Sequence, residues 1–472
     1  MAEAASNLEW RINVPDGTSL VTPPREGAAW LSHWRSFSGY LRGALTSVVM
    51  FVEMAWRMGA SDPKKVIHCV KVGVALSLVS LFYYTRPLYD SLGGNAMWAV
   101  MTVVVVFEYT VGATLCKCIN RATATFLAGS LGLGVHWAAH RSGSTFEPVI
   151  LGTSVFLLAS AATFSRFIPS FKARFDYGAV IFILTFNLVS VSGYRVDKLI
   201  DLAHQRLSTI VIGVSLCIAI SMFVFPVWAG DELRQLIHRN MDKLSDSLEG
   251  CVTLYFKEEE SKGDNSLDAA SYKCVLNSKA AEETMANFAR WEPAHGHIGF
   301  RHPWKEYTKI GALMRSCAYC IETLNACVNS KIQSPQYLKS HLSDACMALC
   351  LHSSEVLKEL ATCLKSMTRS SKLSYLVEKM NFAVQELQEK LNALPGQLLE
   401  NRPSLREVVP LVTMMSLLVE VATRIEVLAD RVVELAELAE FKSPPDDKTN
   451  AKIMPMDDTN STEETNKDIT KS

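Results

Sequence analysis

The chain has almost no surplus of either charge: 47 lysines and arginines stand against 48 acids in 472 residues, a formal net charge of −1. A nucleic-acid binder needs a basic excess, and a disordered chain needs few apolar residues. The even balance and a 49% hydrophobic fraction exclude both for the chain as a whole. The marks of catalysis are missing as well. There is no glycine-rich nucleotide loop, no nucleophile elbow and no pair of catalytic carboxylates, so neither enzyme activity nor a cofactor is expected. Residues 1–60, with their scattered Trp and Arg, lack the apolar core of a signal peptide.

Charge is also locally scarce. Between about 66 and 228 the sequence consists of apolar runs separated by short charged loops, at 66–85, 96–116, 122–139, 148–165, 178–193 and 207–228. Most approach the ~20 residues that cross ~30 Å of hydrocarbon, and the fifth is marginal. The expected fold is an all-α integral membrane protein, with six transmembrane helices per subunit followed by a cytosolic helical bundle. Its parts are an N-terminal arm at 1–61, a six-span domain at 62–229, a helical domain at 230–441 and a disordered tail at 442–472. Basic residues near span ends (Arg57, Lys64, Lys65, Lys117, Arg121, Arg166, Lys172, Arg174, Arg234, Arg239, Lys243) outnumber those on the other side (Arg86, Arg141, Arg195, Lys198, Arg206). That bias places both termini and the C-terminal half in the cytosol, where twelve cysteines stay reduced. In the arm, Trp30, Trp34, Phe37, Tyr40, Leu41 and Leu45 at helical spacing suit either a helix on the membrane surface or one packed on the C-terminal domain.

From 230 onward charged and apolar residues mix at helical period. Helices are expected at 231–256, 266–290, 305–331, 336–369, 372–394 and 406–441. The last has the clearest stripe, Leu411, Met415, Leu418, Ala422, Ile425, Leu428, Val432 and Leu435, which predicts bundle core.

The stretch MTVVVVFEYTVGATLCKCINR, Met101–Arg121, holds the chemistry. Charges inside a span are expensive and face a bundle interior or a water-filled path. Glu108 falls well inside the second run and Lys71 inside the first, and the two are candidates for a structural pair. Lys117 and Arg121, four residues apart, put two cations on one helical face. Arg166 ends the fourth run at the same side, and Arg206 begins the sixth at the opposite side. Some of these are interfacial anchors, as Lys172 and Arg174 are read to be. Arg206 does not fit that rule, and cations at both mouths suit an anion path. Small residues (Gly112, Ala113, Thr114, Gly129, Ser130, Gly132, Gly134) permit close helix packing. The pattern around Arg121 and Arg206 weakly suggests an inverted three-span repeat.

The blocks NAMWAVMTVVVVFEYTVGATLCKCINRA, RFIPSFKARFDYGAVIFILTF, VSGYRVDKLIDLAHQRLSTIVIG, FPVWAGDEL, DPKKVIHCVKVG and FARWEPAHG, spread from Asp62 to about Trp304, resemble the plant aluminium-activated malate transporter family. The resemblance implies a homodimeric anion channel in a lipid bilayer, passing malate and other anions, with no nucleic-acid partner. It implies basic pore positions at Lys117, Arg121, Arg166 and Arg206, to which Lys71 is added as an intramembrane cation. It places an aluminium response at Asp90, Asp197 and Asp201, three carboxylates able to hold a hard cation, or else partners for Arg195, Lys198 and Arg206. Trp291, Glu292 and Pro293 match a family signature, read as a joint between helices with a part in gating. Phe223 and Phe225 fall where the family is linked to regulation by 4-aminobutyrate, or else face lipid. His295, His297 and His302 are read as ordinary loop histidines. Cys317, Cys320, Cys346 and Cys350, superficially zinc-spaced, are read as buried helical thiols.

Two rival readings stand beside the channel: a proton-coupled secondary transporter of organic anions with Glu108 as its proton site, and a membrane-anchored signalling or scaffold protein. The plasma membrane is the expected location, with the vacuolar membrane as the alternative.

Overall fold

The computed structural model describes residues 26–85, 96–143, 145–193, 199–257, 271–296, 298–299, 302–330, 332–401 and 404–443. The expected tail at 442–472 therefore lies almost wholly outside the described residues. The chain divides into two compact units, 1–67 and 68–472. The first contains α1 (Glu26–Ser61), whose side chains from Tyr40 onward are largely exposed, with Tyr40, Leu45, Phe51 and Trp56 among them. Helix α2 (Pro63–Tyr84) begins in the first unit and runs into the second.

The second unit continues with α3 (Ala96–Val106), α4 (Val111–Arg141), α5 (Glu147–Ser165), α6 (Pro169–Gly193) and α7 (Leu199–Phe223). A bundle follows: α8 (Ala229–Phe256), α9 (Tyr272–Leu276), α10 (Lys279–Ala289), α11 (Trp304–Val328), α12 (Gln336–Ser366), α13 (Leu373–Asn401) and α14 (Leu405–Leu438). No strand occurs among the described residues. Local chemistry sets several of these ends. A proline sits at the start of α5, where a missing N–H costs nothing. Ser404 and Glu407 close a capping box on α14.

Among the described residues four helices are long and apolar enough to cross a membrane: α5, α6, α7 and α14. Helices α2 and α4 have the length and carry lysine or arginine. Helix α3 has 11 residues, or about 16 Å, half a hydrocarbon core.

That short helix corrects one expectation. The run at 96–116 is not one span: the helix stops at Val106 and a new one starts at Val111, so Glu108 lies in a break rather than inside a span. Thr110 is extended (φ −104°, ψ 151°), and its hydroxyl accepts the N–H of Ala113 at 3.3 Å. The Thr114 hydroxyl accepts the N–H of Glu108 at 3.1 Å. These local bonds offer the backbone an alternative to continuing the helix, and the break moves a costly charge to a helix end. A second correction falls at 266–290, where the described part holds two helices separated by Asn277 and Ser278. The Ser278 hydroxyl donates to Val275 O and Glu282 Oε1, both at 2.6 Å, at the turn between them.

Two apolar cores result. A large one draws on every helix from α8 to α14, and all eight residues of the expected α14 stripe are buried in it. A small one joins Ala75 and Val79 of α2, Val103 of α3, Cys118 of α4 and Cys217 of α7. Helix α4 packs on α6 and α7, and α3 on α7. A Cβ on Gly132 would meet Val189 Cγ1 at 2.7 Å, and one on Gly213 would meet Thr102 Cβ at 2.9 Å. Glycine is therefore required at those approaches. Gly129 and Gly134, read the same way from the sequence, have open space instead.

Candidate functional site

Two groups of residues meet along α4: a cluster of cations, and a junction at its first turn.

At the junction, α4 begins with donors that have no partner within their own helix. Each finds one elsewhere. Val111 N–H donates to Val227 O at 2.9 Å, Gly112 N–H to Glu292 Oε1 at 3.1 Å, and Ala113 N–H to the Thr110 hydroxyl. The same Glu292 carboxylate accepts Ala229 N–H at 2.6 Å and Gly230 N–H at 3.1 Å, the first donors of α8. One side chain thus caps two helices, one from each half of the unit, and carboxylates favour such helix starts. Glycine is dictated here by contact. A Cβ on Gly112 would lie 2.4 Å from Phe288 O, and one on Gly230 2.2 Å from the Trp304 ring. Burial pushes the Glu292 carboxyl up to about 7, against the three N–H groups, which pull it down. Trp228 stacks on His295 with ring centroids 3.7 Å apart, and burial lowers His302 to about 4. Trp291 and Pro293 flank Glu292 in the connection between α10 and α11.

Lys71 belongs to this junction rather than to the cation cluster. It is buried, and its ammonium donates to Phe225 O at 2.6 Å. Phe225 has φ +41°, in the left-handed region that a bulky side chain rarely adopts. The rings of Phe223 and Phe225 are exposed.

The cation cluster sits further along α4. Lys117 pairs with Glu108, not with the Lys71–Glu108 geometry considered from the sequence, and its ammonium lies 5.6 Å from the Tyr177 ring centroid. Arg121 is 7% exposed, and its Nη1 donates to the Tyr177 hydroxyl at 3.1 Å, while its Nε is buried with no hydrogen-bond partner. Arg206, on α7, is 8% exposed and stacks over the Trp98 ring at 4.0 Å. Among the described residues neither guanidinium has an acid within ion-pair distance. Next to Arg206 lies a cavity of about 210 Å³ between α4, α6 and α7, lined in part by Thr125, Ser130 and Thr185. The Thr125 hydroxyl is itself buried without a partner.

Arg166 stands apart, forked onto Asp176 at 2.7 and 3.3 Å. Asp90 and Asp197 lie outside the described residues, as does the side chain of Asp201, whose backbone belongs to α7. Among the described residues no three His, Cys, Asp or Glu group to hold a metal. Cys317, Cys320, Cys346 and Cys350 are buried on α11 and α12. Sequence reasoning missed Asp176, Tyr177 and Trp98. The Asp-Tyr pair just ahead of an apolar run was the available signal for the first two; nothing in the sequence marked Trp98 as a partner of Arg206.

These features define a helical membrane protein with fixed cations buried among its apolar helices. The chain belongs to the aluminium-activated malate transporter family, whose sequence profile, described as Aluminium activated malate transporter, matches residues 56–403. It is 52% identical to aluminum-activated malate transporter 10 of Arabidopsis thaliana, across 96% of this chain and 99% of that protein. It is 47% identical to transporter 2 of the same species, across 82% and 77%. With aluminum-activated malate transporter 1 of Triticum aestivum the identity is 45%, across 82% and 85%. The family is one of membrane transporters, not of enzymes.

Proposed function

We propose that the chain is an anion channel that passes malate and smaller inorganic anions down their electrochemical gradient. The observation that carries this reading is the pair Arg121 and Arg206, both more than nine-tenths buried and without an acid partner among the described residues. Two like charges in a low-dielectric bundle are costly unless an anion visits them. The relatives named as malate transporters supply the substrate class. Malate is a dianion at neutral pH, and in an inside-negative cell each charge gains roughly 2.3 kcal/mol per 100 mV on leaving. Outward flow then needs no coupling chemistry.

On this reading α2–α7 make up the six-span membrane domain, in which the short α3 stands in the place of the second span, and α8–α14 the cytosolic domain, with both termini cytosolic on the positive-inside bias. The channel is a homodimer in the plasma membrane. Lys117, Arg166 and Arg206 line the path with Arg121, and Lys71 holds the turn that leads from α7 into the cytosolic domain. Asp90, Asp197 and Asp201 form an outer site through which aluminium activates. The Glu292 joint transmits changes in the cytosolic domain to α4.

The test is voltage clamp of oocytes expressing the full chain, with and without injected malate. The expected result is an inward current whose reversal potential moves with malate, and a loss of at least about tenfold in Arg121→Ala at equal surface expression. That loss corresponds to about 1.4 kcal/mol of anion stabilisation. A current that follows neither malate nor chloride, or no current, in the wild-type chain at the cell surface would reject the channel.

A further inference from the structure

Lys117 is the one cation of the α4 cluster that already holds a carboxylate. Glu108 reaches it from the break at 107–110, and both side chains remain partly open, at 37% and 29% exposure. The Glu108 backbone is fixed, since its N–H donates to the Thr114 hydroxyl. Its side chain is neither within a helix nor packed in the core, so it has room to leave without disturbing α3 or α4. Lys71 is the contrast, a buried ammonium on a backbone carbonyl that no solute can replace. Lys117 is also continuous with the unpaired cations. The Tyr177 ring lies beside its ammonium, and the hydroxyl of that same ring accepts from Arg121. An anion held at Arg121 meets Lys117 next along α4, and there it meets a group of its own kind.

We propose that Glu108 is a tethered competitor for the permeating anion: its carboxylate occupies Lys117 and is displaced when an anionic solute moves along α4, so that it sets the channel's anion affinity. A dicarboxylate presents the Lys117 ammonium with the same functional group that Glu108 does, and gains the exchange because its second carboxylate has Arg121 within the same cluster. An inorganic monoanion has no second group to offer. Glu108 therefore discriminates against monoanions more than against dicarboxylates. The proposal rests on the channel reading above.

The test is a dose–response of current against cytosolic malate and against chloride, in the full chain expressed in oocytes, with surface protein quantified. An exposed ion pair contributes up to about 1 kcal/mol, a factor of about five. Glu108→Gln is expected to lower half-saturating malate about two- to fivefold, and half-saturating chloride by at least as much. Lys117→Ala is expected to raise half-saturation, and Glu108→Gln placed on top of Lys117→Ala to change nothing further. Should Glu108→Gln fail to reach the surface, Glu108→Asp, one methylene shorter, gives a smaller shift of the same sign. An unchanged or raised half-saturation in Glu108→Gln, or a reduced maximal current at unchanged half-saturation, would make Glu108 a structural prop and overturn the proposal while the wild-type current stands. Absence of wild-type anion current overturns the channel reading itself, and the competitor role with it.

Discussion

Helices α5 and α14 are both long and apolar enough to cross a bilayer, yet the first has 6% of its apolar window buried and the second 39%. Along α5 only Leu151 is buried, while Val149, Phe156, Leu157 and Phe164 face outward. Along α14 the apolar residues keep helical period and enter the bundle core, and Glu420, Arg424, Arg431 and Glu434 pair on its outer face. Total apolarity does not separate a helix bathed in acyl chains from one buried in protein. The distribution of its few charges does. A difference in core size divides the unit. The α8–α14 bundle is held by one continuous core, whereas in the α2–α7 part a small core draws its buried residues mainly from α2, α3, α4 and α7, and large apolar faces stay open.

The sharpest way to break that comparison is one substitution made on each side. Leu428 is wholly buried, so Leu428→Ala is expected to cost about 2–5 kcal/mol. Read as thermal unfolding of the detergent-purified protein, that is a loss of roughly 5–15 °C. Leu157→Ala, on an open face, should shift the midpoint by only a degree or two. Equal losses would mean that α5 is packed as tightly as α14.

A smaller effect separates two glycines of α4. A Cβ at Gly112 meets the fixed Phe288 carbonyl, so Gly112→Ala should cost about 1–3 kcal/mol and reduce current by loosening the junction. At Gly134 nothing lies within 4 Å, and Gly134→Ala should stay within about 0.5 kcal/mol of wild type. Matching unfolding curves for the two variants would remove the tight approach of α10 to α4.

The finest effect is one of pH. The Glu292 carboxyl, raised to about 7 from an ordinary 4.5, keeps its proton in the folded chain where the unfolded chain has released it. Stability should therefore rise as pH falls from about 7 toward the ordinary carboxylate range, by at most about 1.4 kcal/mol per pH unit, and gain no more below it. Unfolding midpoints between pH 8 and 5 should show that slope in the wild type and lose it in Glu292→Gln. A slope that survives in Glu292→Gln assigns it to another group.

Much of this was legible in the sequence. The α8 to α14 boundaries fall within a few residues of the expected ones, apart from the helix read at 266–290 and the longer α13, because helical period and caps are local signals. All eight residues of the α14 stripe are buried as expected, and Met414, Val421, Ala429 and Ala436 join them in the core. Lys117, Arg121 and Arg206 stand out as charges at the edges of apolar runs. Their partners do not. An apolar run of β-branched residues reads the same whether it continues or breaks, so the interruption at 107–110 was invisible, and with it the pairing of Glu108 to Lys117. Nothing in the order of residues says that Arg121 rests on Tyr177, Arg206 on Trp98 and Arg166 on Asp176.

The sequence by itself determined that the chain is helical, which runs are apolar, which residues bear charge inside them, and the family to which it belongs. The first three follow from composition and short-range periodicity, and the last from the sequence blocks that the chain shares with its relatives. Tertiary structure alone decided which cations are neutralised and which stay unpaired, that Lys71 secures a strained turn, and that Glu292 caps α4 and α8 together. Each of those depends on groups 9 to 180 positions apart being brought within hydrogen-bonding or ring-contact distance, and short-range forces leave no trace of such meetings along the chain.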